Sequence, residues 1–277
     1  MSEQQRTTAS PVRVAIAGLG AIGQSLAKSL AAGAVPGVQL VAVSAKNHDK
    51  AKTFVKTLDH EVPVLTIESL EPMADVVVEC APAALLSDIV TPFLTAGKQA
   101  IVLSVGALLF NEHLRDVAKA HGGTIVVPTG ALLGLDAVIA AAEGKINSVR
   151  MVTRKPPAGL KGAPHLEAHN ISVDGLTEPL KVFEGNARDA ARGFPANLNV
   201  VVALALAGVG PDDTRLEIWA DPTVVRNTHT IHVDSDSASF NMTIENIPSE
   251  NPKTGRIVSQ SVVALLRKMG AALRVGT

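Results

Sequence analysis

The stretch Val12-Arg13-Val14-Ala15-Ile16-Ala17-Gly18-Leu19-Gly20-Ala21-Ile22-Gly23 decides how the rest of the chain is read. Its first six residues form a short, mainly apolar run closed by a glycine, the pattern of a strand buried on both faces of a parallel sheet. From Ala21 to about Ala32 apolar residues recur at helical spacing (Ile22, Leu26, Leu30), and the run ends near Gly33. The glycines between match G-x-G-x-x-G. That pattern is weak alone, but here it closes a strand and opens a helix at the start of a βαβ unit, the setting in which it has a mechanism. Gly18 permits the tight turn, Gly20 lets the backbone approach a pyrophosphate, and Gly23 lets helix and strand pack closely. The helix start at Ala21 and Ile22 supplies backbone N–H donors and a positive dipole end for phosphates. A dinucleotide site built on Gly18, Gly20, Ala21, Ile22 and Gly23 is the expectation.

Outward from this loop the alternation continues. Val38 to Val43 reads as a second buried strand and His48 to Thr57 as a polar helix. Asp75 to Cys80 is a strand, Pro82 to Ala96 a helix with proline near its start, Gln99 to Leu103 a strand, Leu109 to His121 a helix and Thr124 to Val127 a strand. Strands alternating with helices imply right-handed crossovers and an α/β fold, a Rossmann doubly wound parallel sheet. Small residues at Cys80-Ala81-Pro82 and Ser104-Val105-Gly106 end strands where ligands sit in such sheets, so Cys80 and Ala81 join the cofactor-binding candidates. A lone cysteine ending a buried strand reads as a small apolar filler rather than a nucleophile. After the second strand such domains usually place an acid on the adenosine ribose; here Val43-Ser44-Ala45-Lys46-Asn47 has none. Ser44 and Lys46 are the candidates there, with Lys46 suited to a 2′-phosphate, so the cofactor is read as NAD or NADP.

Past Gly134 the texture changes. Ala137 to Ala142 looks helical, Ser148 to Thr153 looks like a strand, and Lys155 to Pro164 is a Pro/Gly/Lys-rich loop. One Ala-rich helix is expected from about Ala187 to Ala207, disturbed near Pro195. Strand-like runs follow at Arg215 to Trp219, Thr228 to Val233 and Ala238 to Ile244, and an amphipathic helix at Ile257 to Met269. Strands following strands imply a second α+β domain on a mostly antiparallel sheet. The expected organisation is a flexible tail over 1–10, a Rossmann domain over 11–133 completed by 250–277, and a substrate-binding and dimerisation domain over 134–249.

Composition narrows the class. The 277 residues are 47% hydrophobic with a formal net charge of -1, and Lys and Arg are scattered, so neither nucleic acid nor membrane is an expected partner. One cysteine rules out an intramolecular disulfide framework and a Cys-rich metal site; no metal is expected. The polar Met1 to Ser10 lacks the apolar core of a signal peptide, which points to the cytoplasm.

The second half holds no HExxH, no GxSxG and no carboxylate cluster at metal-ligand spacing. Its polar concentrations are Arg154-Lys155-Pro156-Pro157 with Lys161-Gly162, Pro195 to Val200, and Ala220-Asp221-Pro222 through Arg226-Asn227-Thr228-His229. With Thr129-Gly130-Ala131-Leu132-Leu133-Gly134-Leu135-Asp136 and the glycine loop, these stretches make the chain resemble the L-aspartate dehydrogenase family over nearly its whole length after the tail. The resemblance implies oxidation of the Cα–N bond of L-aspartate with NAD or NADP to iminoaspartate, which yields oxaloacetate and ammonia, or the reverse. It implies His229 as the active-site histidine and Ala131 and Asn199 as nucleotide-contacting positions. The missing acid after the second strand and the Leu132-Leu133 pair depart from the family's commonest pattern.

The residues support the same chemistry. Oxidising an amine needs a base for the ammonium proton, and histidine titrates near working pH. On a period-2 strand His232 faces away from His229, so His229 is the catalytic candidate; a structural histidine capping a strand or paired with Asp221 is the plainer reading of it. A dicarboxylate needs cations, for which Arg154, Lys155, Lys161 and Arg226 are available. Lys161, in a glycine-flanked loop, and Asn197, the lesser of its pair with Asn199, are the substrate-binding candidates. A homodimer is expected from an apolar antiparallel sheet. The runner-up is another two-domain NAD(P) dehydrogenase of the homoserine dehydrogenase or dihydrodipicolinate reductase type, and a non-catalytic dinucleotide sensor is the alternative of another class.

Overall fold

The structure is a computed structural model, and residues 10–194, 198–249 and 255–276 are described here. It divides into two compact units. The first runs to Ile101 and adds Leu114–Val126 and Val262–Arg274; the second comprises Val102–His113, Val127–Ser261 and the residues from 275.

The first unit follows the alternating pattern: β1 (Val12–Ala17), α1 (Ala21–Ala31), β2 (Val38–Ser44), α2 (His48–Val55), β3 (Val64–Leu65), β4 (Val76–Glu79), α3 (Leu86–Thr95), β5 (Gln99–Val102), α4 (His113–His121) and β6 (Thr124–Val126). The strands form one sheet in the order β3-β2-β1-β4-β5-β6, with β1 parallel to both β2 and β4. This is the doubly wound order, and it reverses direction beside β1, where ligands bind beyond the strand ends. Val14 to Ala17 and Val76 to Val78 are buried, as strands covered by helices on both faces must be. The helices bury one stripe each, Leu26, Ala27 and Leu30 on α1 and Ile89, Val90, Phe93 and Leu94 on α3.

The second unit contains α5 (Leu135–Ala142), β7 (Ile146–Lys155), α6 (Pro164–Ala168), β8 (Leu180–Asn186), α7 (Ala187–Gly193), α8 (Asn199–Ala207), β9 (Thr214–Ala220), β10 (Asn227–Ser235) and β11 (Ser239–Asn246). The last helix, α9 (Ile257–Gly270), belongs to the first unit from Val262 onward. The second sheet has the order β11-β10-β7-β9-β8, antiparallel at every pairing except β7 with β9. One sheet face carries Val149 and Met151 of β7, Leu216 and Ile218 of β9, and Ile231 and Val233 of β10, all buried. Helix α8, with five consecutive buried residues from Val201 to Ala205, packs against β9 and α5, as a helix apolar all round must lie inside. The opposite face is polar: Arg154 stacks over Trp219, with its guanidinium carbon 5.0 Å from the ring centre, and Lys181 lies 5.9 Å from the same ring.

Two expected helices are divided. The run from Ala187 to Ala207 forms α7 and α8, because Phe194 leaves the helical conformation (φ −135°, ψ 54°) in the position before Pro195, where proline disfavours it. The run from Leu109 to His121 is a 3₁₀ turn over Val105–Phe110 followed by α4 from His113; Asn111 separates them, its side-chain amide bonding back to the Ala107 carbonyl at 2.9 Å. Strands β3 and β8 and helix α6 were not foreseen: β3 has two residues and β8 lies at the sheet edge, so neither carries a clear periodicity.

Candidate functional site

The glycine loop forms the floor of a cavity of about 1120 Å³ in the first unit. The chain enters it pinned on both sides, since Gly18 N–H donates to the Ser44 carbonyl at 2.7 Å and Cys80 N–H to the Ala17 carbonyl at 2.8 Å. The three glycines have different reasons to be glycine. Gly18 has φ +107°, and a Cβ there would lie 2.5 Å from the Cys80 carbonyl oxygen. A Cβ on Gly23 would lie 2.0 Å from the Gly18 carbonyl oxygen, so α1 and β1 could not pack as they do. At Gly20 a Cβ would meet nothing within 4 Å. That residue lines the cavity, so its bareness serves whatever enters rather than the fold.

Helix α1 has no side-chain cap and no acid in its first turn, so neither a capping side chain nor a negative charge opposes an anion at its positive end. Ala21, Ile22 and Gly23 open that helix without lining the cavity, whereas Gly20 and Gln24 line it. Cys80 and Ala81 also line it, but the thiol is no nucleophile: burial, then the charge of Glu79, raise its pKa far above the usual thiol range. Glu79 is fully buried on β4, and its Oε1 accepts from Ala81 N–H at 2.9 Å, holding the loop after β4 in place.

At the far side of the cavity stand Ser44, Lys46, His48 and Lys50, with Asn47 capping α2 by accepting from Lys50 N–H at 2.9 Å. Thr66, Ile67 and Glu68 also line it; they follow the two-residue β3, which left no sequence signal. Glu68 is the carboxylate on this wall among the described residues. The size, the glycine floor and the uncapped helix fit a dinucleotide; small-molecule pockets span roughly 300–1,000 Å³. Lys46 and Lys50 would meet a ribose 2′-phosphate.

In the second unit the inner sheet face changes character at one end. Thr153 and Lys155 continue the inward positions of β7 after Val149 and Met151, and His229 continues those of β10 before Ile231 and Val233. His229 is opposite Thr153 in register, and its Nδ1 lies 3.0 Å from Thr153 Oγ1. Thr153 is fully buried, His229 is 2% exposed and Lys155 is 4% exposed. Burial, and then the charge of Lys155, lower the His229 pKa to about 3, so the imidazole, contrary to the expectation from sequence, does not titrate near working pH and is neutral at pH 7. His232 falls on the opposite face, where its Nδ1 is 2.6 Å from Asn241 Oδ1.

Asp221 is not the partner of His229. It accepts from Arg154 at 2.8 Å and from the Thr223 amide and hydroxyl at 2.9 and 2.6 Å. Burial acts to raise its pKa, but these hydrogen bonds outweigh it and the group stays ionised. Arg154 is therefore committed to Asp221 and Trp219, Arg226 is exposed, and Lys161 is exposed and paired with Asp174. Lys155 is the cation of the four that shares the His229 face, a placement that strand alternation and sheet order decide together.

Ala131 and Asn199 belong to the second unit, outside the residues lining the glycine-loop cavity. The Ala131 carbonyl accepts from Asn246 Nδ2 at 3.0 Å, and the adjacent Gly130 N–H donates to Ser261 Oγ at 3.1 Å. Asn199 opens α8, and its Oδ1 accepts from Gly106 N–H at 3.0 Å. Asn197 lies outside the described residues. No group of three or more His, Cys, Asp or Glu able to hold a metal occurs among the described residues, and none of their helices is long and apolar enough to cross a membrane.

Comparison with known proteins places both halves. Residues 136–269 match the family model described as aspartate dehydrogenase, C-terminal, and residues 18–128 match that of the homoserine dehydrogenase NAD binding domain. The chain is 63% identical over 264 residues to L-aspartate dehydrogenase 3 of Bordetella bronchiseptica, covering 95% of this chain and 97% of that one. It is 59% identical to the L-aspartate dehydrogenase of Bradyrhizobium diazoefficiens over 98% of this chain and 96% of that one. The crystal structure of aspartate dehydrogenase from Thermotoga maritima superposes with a TM-score of 0.75 at 24% identity, covering 96% of this chain and 99% of that one, a likeness of fold.

Proposed function

The chain belongs to the L-aspartate dehydrogenase family, and on that footing we propose that it oxidises the Cα–N bond of L-aspartate to iminoaspartate with NAD or NADP, or runs the reverse reductive amination. When bound, the nicotinamide supplies the hydride acceptor. The supporting observation is His229, a buried imidazole held neutral and fixed at Nδ1. With Nδ1–H donating to Thr153 Oγ1, Nε2 keeps its lone pair and takes the substrate ammonium proton, a transfer that the carboxylates of a bound dicarboxylate favour by offsetting the Lys155 charge that helps hold the free imidazole's pKa down. The same nitrogen then returns a proton or takes one from water when the imine is hydrolysed to oxaloacetate and ammonia. Gly18 and Gly20 hold the dinucleotide, Gly23 lets α1 pack closely enough on β1 to present them, Ser44 and Lys46 stand at its ribose, and Ala131 and Asn199 are further contacts.

The homoserine dehydrogenase match concerns residues 18–128 and so bears on the coenzyme, while the residues proposed for substrate chemistry lie in the region matched by the aspartate family. Reduced nicotinamide formation, followed with L-aspartate, L-homoserine and other amino acids in turn, tests the reading. Turnover with L-homoserine but not L-aspartate would transfer the assignment, and coenzyme binding with no turnover would make the protein a sensor.

The reading extends to a homodimer in the cytoplasm. The outer face of the second sheet is polar around Trp219 rather than apolar, so the dimer rests on the sequence expectation alone, while a single cysteine without a disulfide partner in the chain supports the compartment. Sedimentation tests the dimer.

A further inference from the structure

We propose that Lys155 is the anchor for one carboxylate of the dicarboxylate substrate and so positions the substrate amine at His229; the inference rests on the L-aspartate reading above. Lysine is rarely buried, because its ammonium loses hydration and its flexible stem loses rotamer freedom. Lys155 is nonetheless 4% exposed, at the last position of β7.

The strand geometry explains what it faces. Inward positions on β7 alternate, so Thr153 and Lys155 project to the same side. His229 is opposite Thr153 in register, which makes Lys155 its diagonal neighbour, within reach of a long side chain. The imidazole feels that charge. The backbone is tied there as well, since Asp221 N–H donates to the Lys155 carbonyl at 2.8 Å. The Arg154 guanidinium on the opposite face is bound by Asp221, so the two adjacent basic residues are sorted to opposite sides of one sheet. A buried ammonium two residues along the strand from the tie of a neutral base suits an anionic group on a molecule whose amine the base must reach. A carboxylate and the α-ammonium of one small amino acid satisfy both.

A lysine that anchors substrate and a lysine that itself moves the proton leave different kinetics. Lys155→Met keeps length and removes charge; Lys155→Arg keeps charge. With saturating coenzyme, Lys155→Met is expected to raise the L-aspartate KM by roughly ten- to hundredfold, the scale of a lost hydrogen bond to a charged group. It should change kcat less than KM, leave coenzyme binding intact, and be partly rescued by Lys155→Arg. Calorimetry with succinate and coenzyme reads the same anchor without turnover, and Lys155→Met should weaken that binding to a similar degree. Unchanged KM and succinate affinity overturn the proposal, as does a loss confined to kcat with a displaced pH profile, which would make Lys155 a proton-transfer group. Should the wild type fail to oxidise L-aspartate while succinate binding still depends on Lys155, the functional reading falls and the anchor stands.

Discussion

Thr153 and His229 face each other across the β7–β10 ladder, hydroxyl oxygen 3.0 Å from Nδ1, both side chains buried. A hydroxyl can donate or accept, so this contact admits two tautomers, and the proposed base requires the one with the proton on Nδ1. Replacing His229 with Ala should lower turnover by roughly a hundredfold or more, the usual scale for one general base, with coenzyme affinity nearly unchanged. Thr153→Val removes the acceptor and should cost about tenfold in kcat, the scale of one hydrogen bond. Near-parental turnover in a folded His229→Asn variant would send the proton elsewhere.

The same burial predicts a pH dependence of stability. The folded His229 pKa is about 3, below the unfolded value of about 6.5. Below about pH 6.5 the unfolded chain binds the proton and the folded one does not, so stability present above that pH is lost as pH falls toward 3. Melting temperatures between about pH 7.5 and 5, above most carboxylate titrations, should fall in the wild type and fall less in His229→Gln. Parallel slopes would mean that the imidazole charges without penalty.

The glycine loop separates binding from folding. Gly20→Val places its side chain in open cavity and should keep the parental melting temperature while losing coenzyme affinity. Gly18→Ala and Gly23→Ala force a Cβ within 2.5 and 2.0 Å of a carbonyl oxygen and should destabilise the fold, by roughly 1–3 kcal/mol or more. Coenzyme titration beside thermal melts checks this, and parental affinity in Gly20→Val would remove the loop from the site.

Coenzyme choice follows from the wall beyond β2, where Lys46, His48 and Lys50 line the cavity and Ser44-Ala45 supply no acid. NADP should be accepted alongside NAD. Lys46→Ala should raise the NADP KM by about tenfold and leave that for NAD nearly unchanged. A wild-type preference for NAD beyond about a thousandfold, ~4 kcal/mol, would show that Glu68 or a backbone group governs the ribose instead.

What the sequence determined by itself was whatever neighbouring residues decide among themselves. The strand–glycine–helix run at Val12 to Gly23 specifies its own turn, and the alternation of strands and helices as far as Val127 leads to the doubly wound sheet now seen. Period-2 reasoning also put His229 and His232 on opposite faces, because that rule needs no tertiary partner. Tertiary structure decided which charges meet. Arg154, Lys155, Lys161 and Arg226 look alike in the chain. Only the β10-β7-β9 order buries Lys155 beside His229 and carries Arg154 to Asp221, while Lys161 pairs with Asp174 in an exposed loop. The wall at Thr66 to Glu68 was illegible for a related reason: β3 is two residues long, and its place comes from pairing with β2 rather than from any pattern of its own. Local spacing is written in side-chain periodicity, but the partner of a charge depends on which strands the chain brings side by side.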